Sequence, residues 1–272
     1  MGKIMVKAPT EEELKDARDN YIRCQRNNRN NFSYWFGKTQ PVTNFGIAVP
    51  KSIVVPVDPD TLDAFFLERD GDGGKIREWA NKTLFPVIGE IKPPLFVKNG
   101  CFSNKFDFAG SCLVDSVDAE NIIRHIEKIQ YTSLCYDTMG NMELVVREWI
   151  EPEKGYECIY NGMPLRPEMR VFYDFTNHKY LYDVNYWDWD YCHDAICRNE
   201  ADKVVYERQY PLITEKLESR RDRFIGDIKK ALASIDQIDG IWSVDFILDE
   251  EKPWLIDMAI AQMSAYWNLD KA

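Results

Sequence analysis

The stretch Ser243–Ala259, SVDFILDEEKPWLIDMA, sets two aspartates inside a pair of otherwise apolar runs. Val244, Phe246 and Leu248 alternate with Ser243, Asp245 and Ile247. Beyond the polar residues 249–253, Trp254, Ile256 and Met258 alternate with Leu255, Asp257 and Ala259. Period-two alternation on both sides of a turn predicts an antiparallel hairpin. A turn centred on Glu251 pairs Val244 with Met258, Phe246 with Ile256 and Leu248 with Trp254, an all-apolar face. The same register sets Asp245 opposite Asp257, where like charges destabilise the pair. A bridging divalent cation would compensate, and hard carboxylate oxygens point to Mg²⁺ with phosphate among its other ligands. The competing reading is a solvated open face.

Working outward, the search is for cations able to meet phosphate. Lys98 closes the apolar run Leu95-Phe96-Val97, and Lys105 follows across a small polar loop. Each is a candidate phosphate ligand or a solvated lysine. In Val145-Val146-Arg147-Glu148-Trp149-Ile150 an Arg-Glu pair interrupts an apolar strand. That run lines a nucleotide cleft or forms an edge strand with one wet face. Glu168 and Arg170 fall on one face of a further strand, where Arg170 grips phosphate or carboxylate bidentately or pairs with Glu168 across that face.

In chain order these segments resemble the ATP-grasp superfamily, most closely the divergent branch of the eukaryotic assembly factor for translation initiation factor 2. The similar pieces are LFVKNGCFSNKFDF (95–108), LVVREWI (144–150), PEMRVFYDF (167–175) and WSVDFILDEEKPWLIDMA (242–259). The resemblance implies an α+β, ATP-grasp-like fold: an N-terminal α/β subdomain (1–90), a small lobe (91–150) and a large lobe carrying the hairpin (151–272). It implies ATP and Mg²⁺ as cofactors. Lys98, Lys105, Arg147, Glu148, Trp149, Ile150, Glu168 and Arg170 would bind nucleotide, with Lys105 and Arg170 catalytic, and Asp245 and Asp257 would hold metal. The implied activity is a ligase that phosphorylates a carboxylate, on a small molecule, peptide or protein, for attack by an amine. A phosphotransferase or a non-catalytic ATP-binding assembly factor is the alternative. One departure is Ala259, where the family places a metal-binding Asn; Gln262 or Ser264 would have to substitute. CFSNKF also stands where many members carry a glycine-rich phosphate loop.

The remaining features bound the class. The 272 residues, 45% hydrophobic, suffice for a sizeable core. A net charge of −11 argues against general nucleic-acid binding. Seven scattered cysteines, none spaced C-x-x-C, suit a reducing cytoplasm. The N-terminus lacks an apolar signal segment, and Val6 occupies the Ser/Thr position of a myristoylation signal. No run approaches the roughly 20 apolar residues of a membrane span. Asp70–Gly74 has too few acidic ligands for a calcium loop and reads as a turn. Cys192, His193 and Cys197 suggest zinc but lack a fourth ligand at suitable spacing. The WDWDY run (187–191) is either a substrate-facing loop or a packed turn. Thr10 and Glu13 form a capping-box pattern ahead of a polar helix. The charged stretch 199–234 reads as helical with a break at Pro211.

Overall fold

The structure is a computed structural model describing residues 8–67, 74–135 and 141–271. The turn read at Asp70–Gly74 and the N-terminal signal positions fall largely outside those residues. Ten strands occur among the described residues: β1 (Ser52–Pro56), β2 (Leu95–Asn99), β3 (Leu113–Val114), β4 (Glu143–Glu148), β5 (Cys158–Ile159), β6 (Met163–Pro164), β7 (Glu168–Asp174), β8 (Lys179–Asn185), β9 (Ile241–Leu248) and β10 (Pro253–Ile260). They form two four-stranded sheets, in the orders β1-β4-β2-β3 and β10-β9-β7-β8, and a β5-β6 pair. Strand β1 pairs antiparallel with β4, so chain from the first ninety residues closes the small-lobe sheet.

Alternation along these strands positions the site. In the small lobe, Leu95, Val97, Leu144 and Val146 enter one core with Ile122, Ile126 and Ile129 of the helix Ala119–Cys135. Phe96, Lys98, Val145 and Arg147 must then occupy the opposite face. Val145 joins the core of the large lobe, so that face looks toward the second sheet. In the large lobe, Met169, Val171, Val244 and Phe246 pack with Leu217, Phe224 and Ile228 of the helix Glu200–Ala233. Glu168, Arg170, Asp245 and Ile247 are thereby left on the face turned toward the small lobe.

The hairpin pairs Asp257 with Asp245 and Met258 with Val244. Nearer the turn the register differs by one residue: Leu255 faces Phe246, and Pro253 faces Leu248. Leu255 and Met258 are both buried in the core. They stand an odd number of residues apart, so an unbroken strand cannot turn both inward, and the irregularity between Leu255 and Asp257 resolves the parity. The expected core trio Trp254, Ile256 and Met258 is thus replaced by Leu255 and Met258. Ile256 is the unpaired extra residue.

Two further expectations change. The helix Glu200–Ala233 runs 34 residues with Pro211 inside it. Buried Tyr206, Gln209, Ile213 and Leu217 hold it on both sides of the proline, so tertiary packing outweighs the lost backbone bond. By sequence Ser111–Val114 resembles a strand, but residues Phe108–Ser111 form a helical turn and only Leu113–Val114 are extended. The capping box forms: Glu13 N–H donates to Thr10 Oγ1, and Thr10 N–H to Glu13 Oε2. No helix is long and apolar enough to cross a membrane among the described residues, and all seven cysteines are unpaired thiols.

Candidate nucleotide site between the lobes

Facing surfaces of the two sheets enclose a cleft lined from the small lobe by Phe96, Lys98, Lys105 and Arg147 to Ile150. Arg166, Glu168, Tyr186, Asp245, Ile247, Ile256 and Asp257 line it from the large lobe. Of the ten residues singled out from sequence, nine therefore converge here. The exception, Arg170, stands behind Asp245. It lines an adjoining cavity of about 150 Å³, whose wall also holds Lys105, Tyr186, Trp187 and Tyr191.

The two aspartates are neutralised by protein cations. Arg170 lies beside Asp245 in the β7–β9 register and binds it bidentately, Nε to Oδ1 at 2.7 Å and Nη2 to Oδ2 at 2.8 Å. Burial opposes the charge on Arg170, but the Asp245 carboxylate outweighs it and raises the guanidinium pKa. Asp257 Oδ2 accepts from Lys98 Nζ at 2.7 Å, joining the lobes; its Oδ1 accepts from the Met258 N–H. A cation is thus not required to relieve the Asp245–Asp257 opposition, and neither carboxylate is simply solvated.

Burial pushes Glu168 up to about 7, against the pull of Arg166 and Lys105. The nearest cation is Arg166 Nε, 3.8 Å from Glu168 Oε1, so Glu168 has an ion pair without a close hydrogen bond. Burial also lowers Arg147 to about 10, against Asp257 and Glu148. Arg147 Nη1 donates at 2.6 Å to the carbonyl of Ile256, the residue the irregular register leaves out of the ladder. Lys105 Nζ donates to the Tyr186 hydroxyl. In the connecting segment, Glu148 Oε1 accepts the Lys51 N–H, Trp149 lies under the Arg166 guanidinium, and the Ile150 carbonyl accepts from Arg166 Nη1 at 2.8 Å. That carbonyl is engaged within the protein rather than left open.

Nε of Arg147 and Nε of Arg166 are buried without a hydrogen-bond acceptor, which a buried donor rarely tolerates. An anionic oxygen would satisfy them, so the cations fit a phosphate chain. Glu168, Asp245 and Asp257 offer hard oxygens of the kind Mg²⁺ takes, each oxygen bound to a cation keeping a second lone pair. The cavity itself is about 110 Å³, below the 300–1,000 Å³ usual for ligand pockets. Lys98–Asp257 and Arg147–Ile256 cross it, and a nucleotide would have to part them.

No protein-family model and no curated protein sequence matches the chain. Among solved structures, the C-terminally truncated Cdc123 from Schizosaccharomyces pombe matches at TM-score 0.56 and 14% identity. The match covers 91% of this chain and 88% of that one. A second structure of Cdc123 from Schizosaccharomyces pombe matches at TM-score 0.54 and 17% identity, over 86% and 85%. The fold is that of Cdc123. It is an α+β fold built on two four-stranded sheets. A RimK domain ATP-grasp protein from Sphaerobacter thermophilus is also similar, at TM-score 0.35 and 12% identity, over 83% of this chain and 57% of that one.

Ala259, on the β9–β10 hairpin, pairs with Ser243. Ser264 Oγ meets Ser243 Oγ at 2.6 Å, and Gln262 is exposed. Neither of these expected substitutes lines the cleft. The sequence reading missed Arg166 and Tyr186 as site residues. Arg166 carries a legible signal, a cation two residues before Glu168 in the extended run Arg166-Pro167-Glu168 that leads into β7. Tyr186 carries none, because its role comes from meeting Lys105 across 81 residues of chain. Of the WDWDY run, Trp187 is buried, Asp188 caps the helix Trp189–Ile196, and Tyr191 is exposed beside the second cavity. The run is thus neither a loop nor a packed turn throughout, because its last three residues begin a helix.

Proposed function

We propose that the chain binds ATP with Mg²⁺ in the interlobe cleft and acts as an ATP-grasp ligase, activating a substrate carboxylate for attack by an amine. The observation that carries this reading is the convergence of four cations, Lys98, Lys105, Arg147 and Arg166, on three carboxylates, Glu168, Asp245 and Asp257, between two sheets. Bound ATP would supply the phosphoryl group that makes the substrate's carboxyl oxygen a leaving group. Lys105 and Arg166 line the cleft from opposite lobes, where their charges would neutralise phosphate oxygens. Arg170 works through Asp245, fixing that carboxylate for metal, and from the adjoining cavity presents a cation to an anionic acceptor. Phe96, Ile150, Met163 and Ile247 give the cleft apolar walls suited to a base. No side-chain nucleophile is needed.

A second reading, an ATP-binding assembly or regulatory factor without turnover, is favoured by Ala259 and by the commitment of Asp257 to Lys98. Thermal unfolding with and without ATP and Mg²⁺ tests what the two share. Nucleotide at 100 times its dissociation constant adds about 2.7 kcal/mol, a shift of a few degrees for a chain of this size. An unchanged melting temperature would refute both. ADP release with a carboxylate and an amine present then separates them.

A further inference from the structure

A cluster outside the cleft carries a site of a different kind. His193, Cys197 and Glu207 bring an imidazole nitrogen, a thiol sulfur and a carboxylate oxygen within 4.8 Å of one another. His193 Nε2 lies 3.4 Å from Glu207 Oε1. Ligand atoms about 2.0–2.3 Å from a tetrahedral zinc are themselves roughly 3.3–3.8 Å apart, so this edge already has the required length. We propose that His193, Cys197 and Glu207 form a three-ligand Zn²⁺ site that pins the end of the helix Trp189–Ile196 to the helix Glu200–Ala233.

Backbone geometry supports the ligand set. Cys197 caps the shorter helix in an αR conformation, and its N–H donates to the His193 carbonyl at 2.8 Å. That bond extends the last turn, and four-residue spacing then puts His193 and Cys197 on one face. Glu207 enters from the second helix, ten residues beyond Cys197, which is why the sequence offered no spacing that included it. The His193 ring is held on one side by Trp189, whose ring lies against it with centroids 4.4 Å apart. Thiolate and imidazole together select zinc over Mg²⁺ or Ca²⁺. His193 and Cys197 are half-buried and Glu207 is exposed, so solvent reaches the fourth position. Binding releases the Cys197 thiol proton to water.

The site has a structural consequence. Tyr191, Cys192 and Ala195, on the same short helix, line the cavity beside the nucleotide cleft, so the metal would fix one wall of that cavity.

Co²⁺ titration of the full chain under reducing, anaerobic conditions is the test. One equivalent should give the visible bands of a tetrahedral ion and a near-ultraviolet thiolate charge-transfer band, both abolished by Zn²⁺. Cys197→Ser should remove the charge-transfer band. Cys192→Ser should keep it, since that thiol is already engaged with the Tyr266 hydroxyl. Glu207→Gln should weaken binding by at least about tenfold, as even outer-shell partners are worth that much. Absence of the band in the wild type, its persistence in Cys197→Ser, or wild-type affinity in Glu207→Gln would overturn the assignment.

Discussion

Lys98, 2% exposed at the end of β2, places its ammonium 2.7 Å from the Asp257 carboxylate on β10, so one ion pair ties the two lobes together across the cleft. Its partners are unequal, because the Asp257 side chain keeps 38% of its surface in solvent. Asp257→Asn leaves a buried ammonium without its counter-charge and should lower stability by about 1–3 kcal/mol. Lys98→Met leaves a carboxylate that water can reach, and should cost less. Urea unfolding of both variants checks the order; equal losses would mean that the pair is not asymmetrically buried.

Lys105 offers the cleaner test of nucleotide binding. It is half-buried, and its Nζ meets the Tyr186 hydroxyl rather than a carboxylate, so truncating it breaks no direct ion pair, and Glu168 keeps Arg166 at 3.8 Å. Lys105→Ala should keep a near-normal melting temperature yet lose most of the ATP-dependent shift. In the ligase reading, turnover should fall by about 10²–10³, the usual loss for a preorganised charge-stabilising group. A variant with wild-type ATP response and turnover would remove Lys105 from the site. Arg170→Ala cannot serve as well, because it leaves Asp245 buried without its bidentate partner.

How much of this was readable from sequence depends on the distance over which each feature is decided. Period-two geometry assigns each side chain to one face or the other within a strand, and the hairpin register set Asp245 opposite Asp257; that Lys98, Arg147 and Glu168 join them in one cleft was implied only by the ATP-grasp resemblance. The irregular register was not legible, because the burial of Leu255 is decided by packing rather than by its neighbours' hydrophobicity. The mutual neutralisation of the site was hidden for another reason. Arg170 and Lys98 lie 75 and 159 residues from the aspartates they bind, and no local spacing announces such a partner. A metal therefore looked necessary where protein cations already suffice. The closed width of the cleft, crossed by two interlobe contacts, likewise belongs to tertiary structure.

Glu168 should impress a pH dependence on stability. Its folded pKa of about 7 is raised by burial, with Arg166 and Lys105 opposing, from an ordinary value of about 4.3 in the unfolded chain. Between those values the folded state holds a proton that the unfolded state has lost. The contribution is thus present below about pH 4.3 and is lost as pH rises toward 7. Above pH 7 both states are ionised and the slope vanishes. Glu168→Gln should abolish this fall and melt higher than wild type at pH 8. A wild-type slope of opposite sign, after correction for the Glu168→Gln background, would contradict the raised pKa.

Gly100 governs where the loop to Lys105 begins. Its N–H donates to the Glu143 carbonyl at 3.1 Å and to Asn141 Oδ1 at 3.1 Å, and its carbonyl accepts from Phe32 N–H at 3.0 Å. A Cβ at this position would stand 2.3 Å from Glu143 Oε1 and 2.6 Å from Asn141 Oδ1. Glu143 cannot swing aside freely, since its Oε1 accepts the Ser33 N–H at 3.1 Å. Asn141 is 2% exposed and donates to Asn31 Oδ1 at 3.0 Å. Accommodating a methyl group therefore disturbs a buried polar network that joins β4, the start of the loop and the segment around Asn31. Gly100→Ala should cost about 1–3 kcal/mol, the range for forced overpacking. Because the loop carries Lys105 into the cleft, the variant should also bind ATP more weakly when measured well below its own melting temperature. If stability falls while ATP affinity is unchanged, the position of Lys105 does not depend on this anchor, and its contribution to the nucleotide site must be fixed instead by Tyr186.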